Sequence, residues 1–215
     1  MSKKALIVYG GWDGHQPKET AELIASDLKM ENFTVELSDT LNAFADEAWL
    51  KTFDLIVPHW TMGQISGEQS GALRRAIESG VGLGGIHGGM GDAFRADTEF
   101  QFMTGGQFVA HPDNAKDYVV RIVKKDDPIV AGLGDFNVHS EQYYMHVDPS
   151  NDVLASTVFE TVSAPWVNGT VMPVVGKRRH GLGRVFYQSI GHSTRELQIP
   201  EVREITRRGL LWAAR

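Results

Sequence analysis

Four short apolar runs, spaced so that helices fit between them, constrain this chain more than any other feature. Lys4–Tyr9 is a continuous apolar run, as expected of a strand buried on both faces; Phe33–Leu37 and Phe53–Val57 read as further strands and Gly80–Ile86 as a glycine-rich fourth. Pro17 suits a first helical position, and Ala21, Ile24, Ala25 and Leu28 recur at helical spacing up to about Met30. Ser66 with Gln69 resembles a capping box, and Leu73, Ala76 and Ile77 give the buried stripe of the helix it would start. Strands alternating with helices of this size predict an α/β fold with a parallel sheet and helices on both faces.

The second half is less regular. Tyr118–Val123, Asn137–Tyr144 and Val153–Phe159 read as strands and predict a β-rich insertion, an added layer rather than an independent domain. Met172–Gly176 and Arg184–Ile190 read as two strands joined by a basic turn, Lys177–Gly183. A last helix begins near Pro200, with Val202, Ile205, Gly209 and Trp212 on one face. No repeat or linker interrupts the chain, so residues 1–215 are expected to form one domain.

Composition removes several chemistries. There is no cysteine, which excludes disulfides, thiolate nucleophiles, cysteine zinc sites and iron–sulfur clusters. The net charge of -6 argues against a general nucleic-acid binder, which needs a basic face. No stretch reaches the roughly 20 apolar residues of a membrane span. The apolar run at Ala5–Tyr9 is too short for the core of a signal peptide. No membrane partner is therefore expected, and the expected compartment is the cytoplasm. A homodimer is compatible with the sequence but rests on no specific feature.

In an open parallel sheet, ligands bind beyond the carboxyl ends of the strands. His15, His59, His87 and His192 all fall just after predicted strands, four of the eight histidines in the chain. His87 lies in Gly84-Gly85-Ile86-His87-Gly88-Gly89, the elbow position of a strand-to-helix turn, where a side chain is pushed into the site. It could be a general base, an oxyanion donor or a metal ligand. Alternatively the glycines only permit close packing, and His87 bonds locally. Gly82-Leu83-Gly84 opens a dinucleotide fingerprint, but its third glycine is replaced by His87 and it follows the fourth strand, so no nucleotide cofactor is expected.

His139 and Glu141 would point to one face of a strand, with Tyr143 following on that face. His111, before Pro112, could converge on the same cleft. His111 and His139 are thus candidate ligands for a divalent metal, zinc or manganese. Trp12 and Trp60 lie where they could stack on a sugar, with core packing as the alternative. His15, His59 and Tyr143 complete the candidate substrate contacts. The run Lys177-Arg178-Arg179-His180 reads as a solvated turn or a contact for an anionic partner.

Taken together, Gly85-Ile86-His87-Gly88-Gly89, Gly105-Gly106-Gln107-Phe108-Val109-Ala110-His111-Pro112, Glu141-Gln142-Tyr143-Tyr144 and Gly181-Leu182-Gly183-Arg184-Val185-Phe186-Tyr187 with Gly191-His192 resemble the trehalose-utilisation (ThuA-like) family over nearly the whole chain. The resemblance implies a flavodoxin-like three-layer sandwich related to class I glutamine amidotransferases. His87 then takes the place of their nucleophilic cysteine, and His192 resembles their late histidine. Amidotransferase chemistry is not implied, because the thiol is missing. The family often carries an acidic residue just before the glutamate, where this chain has Ser140.

The resemblance further implies disaccharide catabolism, with 3-keto-glycosides as substrates. A ketone at C3 acidifies the hydrogen at C2, so a base can remove it and the enolate can expel the C1 substituent. His87, Glu141 and His192 are the expected catalytic residues, and a metal would polarise the ketone. A non-catalytic sugar-binding or regulatory module, and a metal-dependent hydrolase of a non-sugar substrate, remain as alternatives.

Overall fold

The computed structural model describes residues 2–215. In chain order its elements are β1 (Lys3–Gly11), α1 (Pro17–Met30), β2 (Phe33–Ser38), α2 (Glu47–Leu50), β3 (Leu55–Thr61), α3 (Gly67–Glu78), β4 (Gly82–Ile86), α4 (His87–Gly91) and α5 (Thr98–Thr104). There follow β5 (Gly106–Ala110), β6 (Ala115–Ile122), β7 (Phe136–Glu141), β8 (Tyr144–Val147), β9 (Asp152–Val158), β10 (Val171–His180), β11 (Gly183–Gln188), α6 (Thr194–Leu197) and α7 (Pro200–Ala213).

The local signals act as the sequence suggests. Pro17 and Pro200 sit in the first turns of their helices. Ser66 and Gln69 form a complete capping box on α3, satisfying two backbone donors that the helix start leaves free.

Nine strands form one sheet in the order β2-β1-β3-β4-β11-β10-β9-β6-β7. The first five are parallel to their neighbours, and the last four join antiparallel. Helices cover both faces. Ala5 and Ile7 of β1 point into a core with Ala21, Ile24 and Leu28 of α1 and Val202, Ile205 and Leu210 of α7. Leu6 and Val8 point the other way, against Ala72, Leu73, Ala76 and Ile77 of α3. That alternation on one buried strand is what makes the three-layer α/β sandwich. No helix among the described residues is long and apolar enough to cross a membrane.

Three expectations are corrected. The insertion is not a separate layer, because β6, β7 and β9 extend the main sheet and only β5 and β8 form a small sheet of their own. Pro58-His59-Trp60 does not end the third strand. β3 continues to Thr61, with Pro58, His59 and Trp60 opposite Val8, Tyr9 and Gly10. Pairing with β4 stops at Ile56, which leaves one flank of the strand unpaired, where a proline is tolerated.

Nor is the basic run a solvated turn. Lys177–His180 is the end of β10, paired with β11, so that only Gly181 and Leu182 turn. Two of its charges are used internally. Lys177 pairs with Asp127 and lies over the Trp212 ring, while Arg178 pairs with Asp148 at 3.0 Å.

Candidate functional site

The parallel strands β1, β4 and β11 deliver three histidines to one edge of the sheet. His15 ends the short turn after β1, His87 opens α4 directly after β4, and His192 lies in the loop after β11. The His15 ring stands edge-on to those of His87 and His192, with centroids at 4.6 and 4.8 Å. Glu141, the last residue of β7, reaches into the same place. Its Oε2 lies 3.2 Å from His87 Nε2 and 3.3 Å from His192 Nδ1.

His87 sits in an elbow with φ of 46°, a left-handed conformation that costs a residue with a Cβ about 1 kcal/mol. The surroundings hold it there. Its Nδ1 lies 2.9 Å from the Ser189 carbonyl, and the Tyr187 hydroxyl donates to its own carbonyl at 3.0 Å. Its ring stacks on Tyr143, with centroids 4.1 Å apart. The glycines of the elbow are needed for close approach: a Cβ would strike the His15 ring at Gly88, the His59 ring at Gly89 and the Tyr187 phenol at Gly91.

The Ser189 carbonyl can only accept, so His87 Nδ1 carries a hydrogen, and Nε2 is the nitrogen aimed at Glu141. A bare lone pair facing a carboxylate would be unfavourable, so this arrangement calls for a proton or a cation between them. His192 Nδ1 is buried beside the same oxygen without a properly formed hydrogen bond.

Burial alone would raise the Glu141 carboxyl, but the close approach of the His192 and His87 rings outweighs it and holds the group well below the usual carboxylate range. The Glu141 carboxylate beside it raises His192. Burial, helped by His87 and His192, pushes His15 down to about 3. One anion and three histidines, one of them held neutral, therefore share a small volume.

One ligand atom from each of His15, His87, Glu141 and His192 lies within 4.8 Å of the others. Four tetrahedral donors about 2.1 Å from a common zinc ion would sit about 3.4 Å apart, so the set must close by roughly an ångström. Three nitrogens and one carboxylate oxygen suit zinc or a similar divalent ion. The Ser189 carbonyl on His87 is the kind of outer partner that fixes a ligating ring. The residues therefore fit a divalent metal.

The expected metal ligands are otherwise placed. His139 does share strand β7 with Glu141, but its ring lies on the exposed face and bonds Asp117 Oδ1 at 2.8 Å. The last residue of a strand can turn into a cleft while the one two before it stays in solvent. His111 is close, with Nε2 3.8 Å from Glu141 Oε1, but it is not one of the four converging residues. It borders them, stacked on Phe108, which in turn lies 4.4 Å from Tyr143.

The substrate candidates divide. Trp12 is 46 % exposed, edge-on to His15 at 4.7 Å, and Tyr143 forms the floor under His87. His59 is buried behind the cluster, bonded to Thr20 Oγ1 at 2.6 Å, and burial pushes it down to about 4. Trp60 packs onto the core on the α3 side. Both belong to β3, which runs further than its sequence suggests. Sequence reasoning missed Ser189 and Tyr187, which act on His87 through a carbonyl and a hydroxyl, and Glu196, which bonds the His192 backbone at 2.8 Å. A carbonyl leaves no trace in residue type, but an acid four places after a candidate histidine was a visible signal for Glu196.

A family model described as trehalose utilisation, ThuA, matches residues 4–213. No curated protein sequence matches the chain. Among solved structures, a ThuA-like protein from Bacteroides uniformis ATCC 8492 superposes with a TM-score of 0.80 at 19% identity, over 98% of this chain and 91% of that one. A ThuA-like protein from Parabacteroides merdae ATCC 43184 gives 0.79 at 17% identity, over 99% and 90%. A β-galactosidase from Bacillus circulans sp. alkalophilus gives 0.63 at 11% identity, over 99% of this chain but only 30% of its own. At these identities the likeness is one of fold.

Proposed function

The chain belongs to the trehalose-utilisation (ThuA) family, and on that premise we propose that it acts on a 3-keto-glycoside or a related keto sugar by removing the proton beside the ketone. The convergence of His15, His87, Glu141 and His192 within 4.8 Å carries this reading. These four residues would hold a divalent metal, which would polarise the ketone oxygen as a Lewis acid.

The remaining groups serve the sugar and its protons. Trp12 offers an exposed indole at the rim for a pyranose face. Tyr143 and Phe108 provide an apolar floor that limits water. His111 Nε2 lies 3.8 Å from Glu141 Oε1, and its Nδ1 has no partner among the described residues. In this reading His111 takes the C2 proton. The C–H electrons form the enolate, and its collapse to a C1=C2 double bond expels the C1 oxygen, which leaves as an alcohol after gaining a proton.

The test is proton NMR of the protein with a 3-keto-disaccharide in heavy water, with zinc or manganese added and again with chelator. Deuterium entering C2, or release of the second sugar, is the expected result, and both should fall away on chelation. His111→Gln should lose exchange while still binding metal. Saturable binding with neither exchange nor cleavage would replace the catalytic reading with a sugar-binding module.

A further inference from the structure

The four residues of the cluster come from distant parts of the chain, and one short helix touches the segments that carry three of them. α6 begins two residues after His192. At its start, the backbone N–H and hydroxyl of Thr194 both donate to Gln16 Oε1 at 3.2 Å, and Gln16 is the residue after His15. In the same turn, Glu196 Oε2 accepts from the His192 backbone N–H at 2.8 Å and from the Ser140 hydroxyl at 2.8 Å. Ser140 is the residue before Glu141.

The bond to Ser140 spans the widest gap. Four strands separate β4 from β7 in the sheet order. Five spacings of about 4.8 Å amount to about 24 Å along a flat sheet, yet Glu141 lies 3.2 Å from His87. The antiparallel arm must curl back over the parallel strands, and something must hold it there. Glu196 and Ser140 are both buried and make such a latch.

The choice of a carboxylate is informative. Glu196 accepts from two neutral donors, a task an amide or hydroxyl could perform with less desolvation. A carboxylate adds a second negative charge beside the histidines. With Glu141 alone, a divalent ion and neutral imidazoles would leave a net charge of +1, and Glu196 brings the buried set to zero.

We propose that Glu196 is the positioning residue of this site, fixing the spacing of His192 and Glu141 by bonding the backbone of one and the neighbour of the other. The role in metal binding rests on the function proposed above. The spacing itself does not, and the experiment separates the two.

Histidine side-chain 15N–1H correlation spectra of the metal-free protein report the His192–Glu141 contact directly. Calorimetric titration with Zn2+ reports the assembled set. In Glu196→Ala the His192 ring signals should move to those of an imidazole with no carboxylate beside it, and Zn2+ affinity should fall about 10- to 100-fold, as for loss of an outer partner of a metal ligand. Ser140→Ala should move the same signals less. Glu196→Gln, which keeps an acceptor for His192, should restore most of the spectrum. If Glu196→Ala fails to fold, Ser140→Ala and Glu196→Gln carry the test, each checked by circular dichroism. Unchanged His192 signals in folded Glu196→Ala, or in folded Ser140→Ala where only that variant can be read, overturn the proposal. If wild-type protein shows the His192 contact but binds no Zn2+, the metal reading fails while the spectra still decide the latch.

Discussion

His87 Nε2 lies 3.2 Å from Glu141 Oε2, although His87 follows β4 and Glu141 ends β7, strands that are far apart in the sheet. Glu141 also meets His192 Nδ1 through the same oxygen, so one carboxylate oxygen serves two rings delivered by two parallel strands. Removing that oxygen should therefore cost more than removing any single ring.

The first expectation concerns metal content. The purified protein, loaded with Zn2+ and desalted, should retain about one equivalent per chain by elemental analysis. Glu141→Gln should lower the affinity by about a hundredfold or more, because it removes the only anionic ligand of the set. His139→Ala should bind as the wild type does, since His139 faces solvent and Asp117. Equal affinity in Glu141→Gln would remove the carboxylate from the site.

The elbow at His87 makes a backbone statement that is separate from chemistry. His87→Ala and His87→Gly both delete the ring, but only alanine keeps a Cβ at a φ of 46°. Urea unfolding should find the glycine variant more stable by about 1 kcal/mol, the cost of that conformation for a residue with a Cβ. Both should be inactive in C2 exchange. An alanine variant as stable as the glycine variant would mean the elbow relaxes when the ring is gone.

Among the described residues, the phenol of Tyr187 is the only side-chain partner of the His87 carbonyl, at 3.0 Å. Tyr187→Phe should cost about 1 kcal/mol, because it removes one buried hydrogen bond to that carbonyl. Thermal melting and urea titration measure this directly. A neutral substitution would show that the carbonyl finds another donor.

Buried His59 should make the protein sensitive to mild acid. Burial takes it from 6.5 to about 4, so between those values the unfolded chain holds a proton that the native protein refuses. Stability then rises with pH across this window. The His59 contribution is complete above about pH 6.5 and is lost as the pH falls toward 4, amounting to about 3 kcal/mol at most. Urea midpoints of wild type and His59→Gln at pH 4.5 and 7 should show a flatter dependence in the variant. Parallel dependences would mean His59 charges in place.

The parallel half of the fold was legible because its signals are local. A buried run such as Ala5–Val8, a proline at position 17 and the Ser66–Gln69 box each declare their element within a few residues. His15, His87 and His192 were legible for the same reason, since each follows such a strand.

What failed was non-local. Whether Pro58 ends a strand depends on where β4 stops pairing. Lys177–His180 is strand because it pairs with β11, and two of its charges are matched by Asp127 and Asp148, distant in sequence. His139 and Glu141 share a strand and an expected face, but only the curl of the antiparallel arm decides which of them meets His87. The elbow motif placed His87, but nothing near residue 87 announces Ser189 as the group that sets its tautomer.

The latch at α6 has a consequence for synthesis of the chain. A nascent chain carries His15, His87 and Glu141 well before residues 189–197 exist, yet the carbonyl that orients His87 and the carboxylate that draws β7 inward both come from that late segment. Without that segment, neither the Ser189 carbonyl nor the Glu196 carboxylate is present to hold them together. The convergence of the four residues thus waits on residues 189–197, and a chain cut before them carries His15, His87 and Glu141 without these partners.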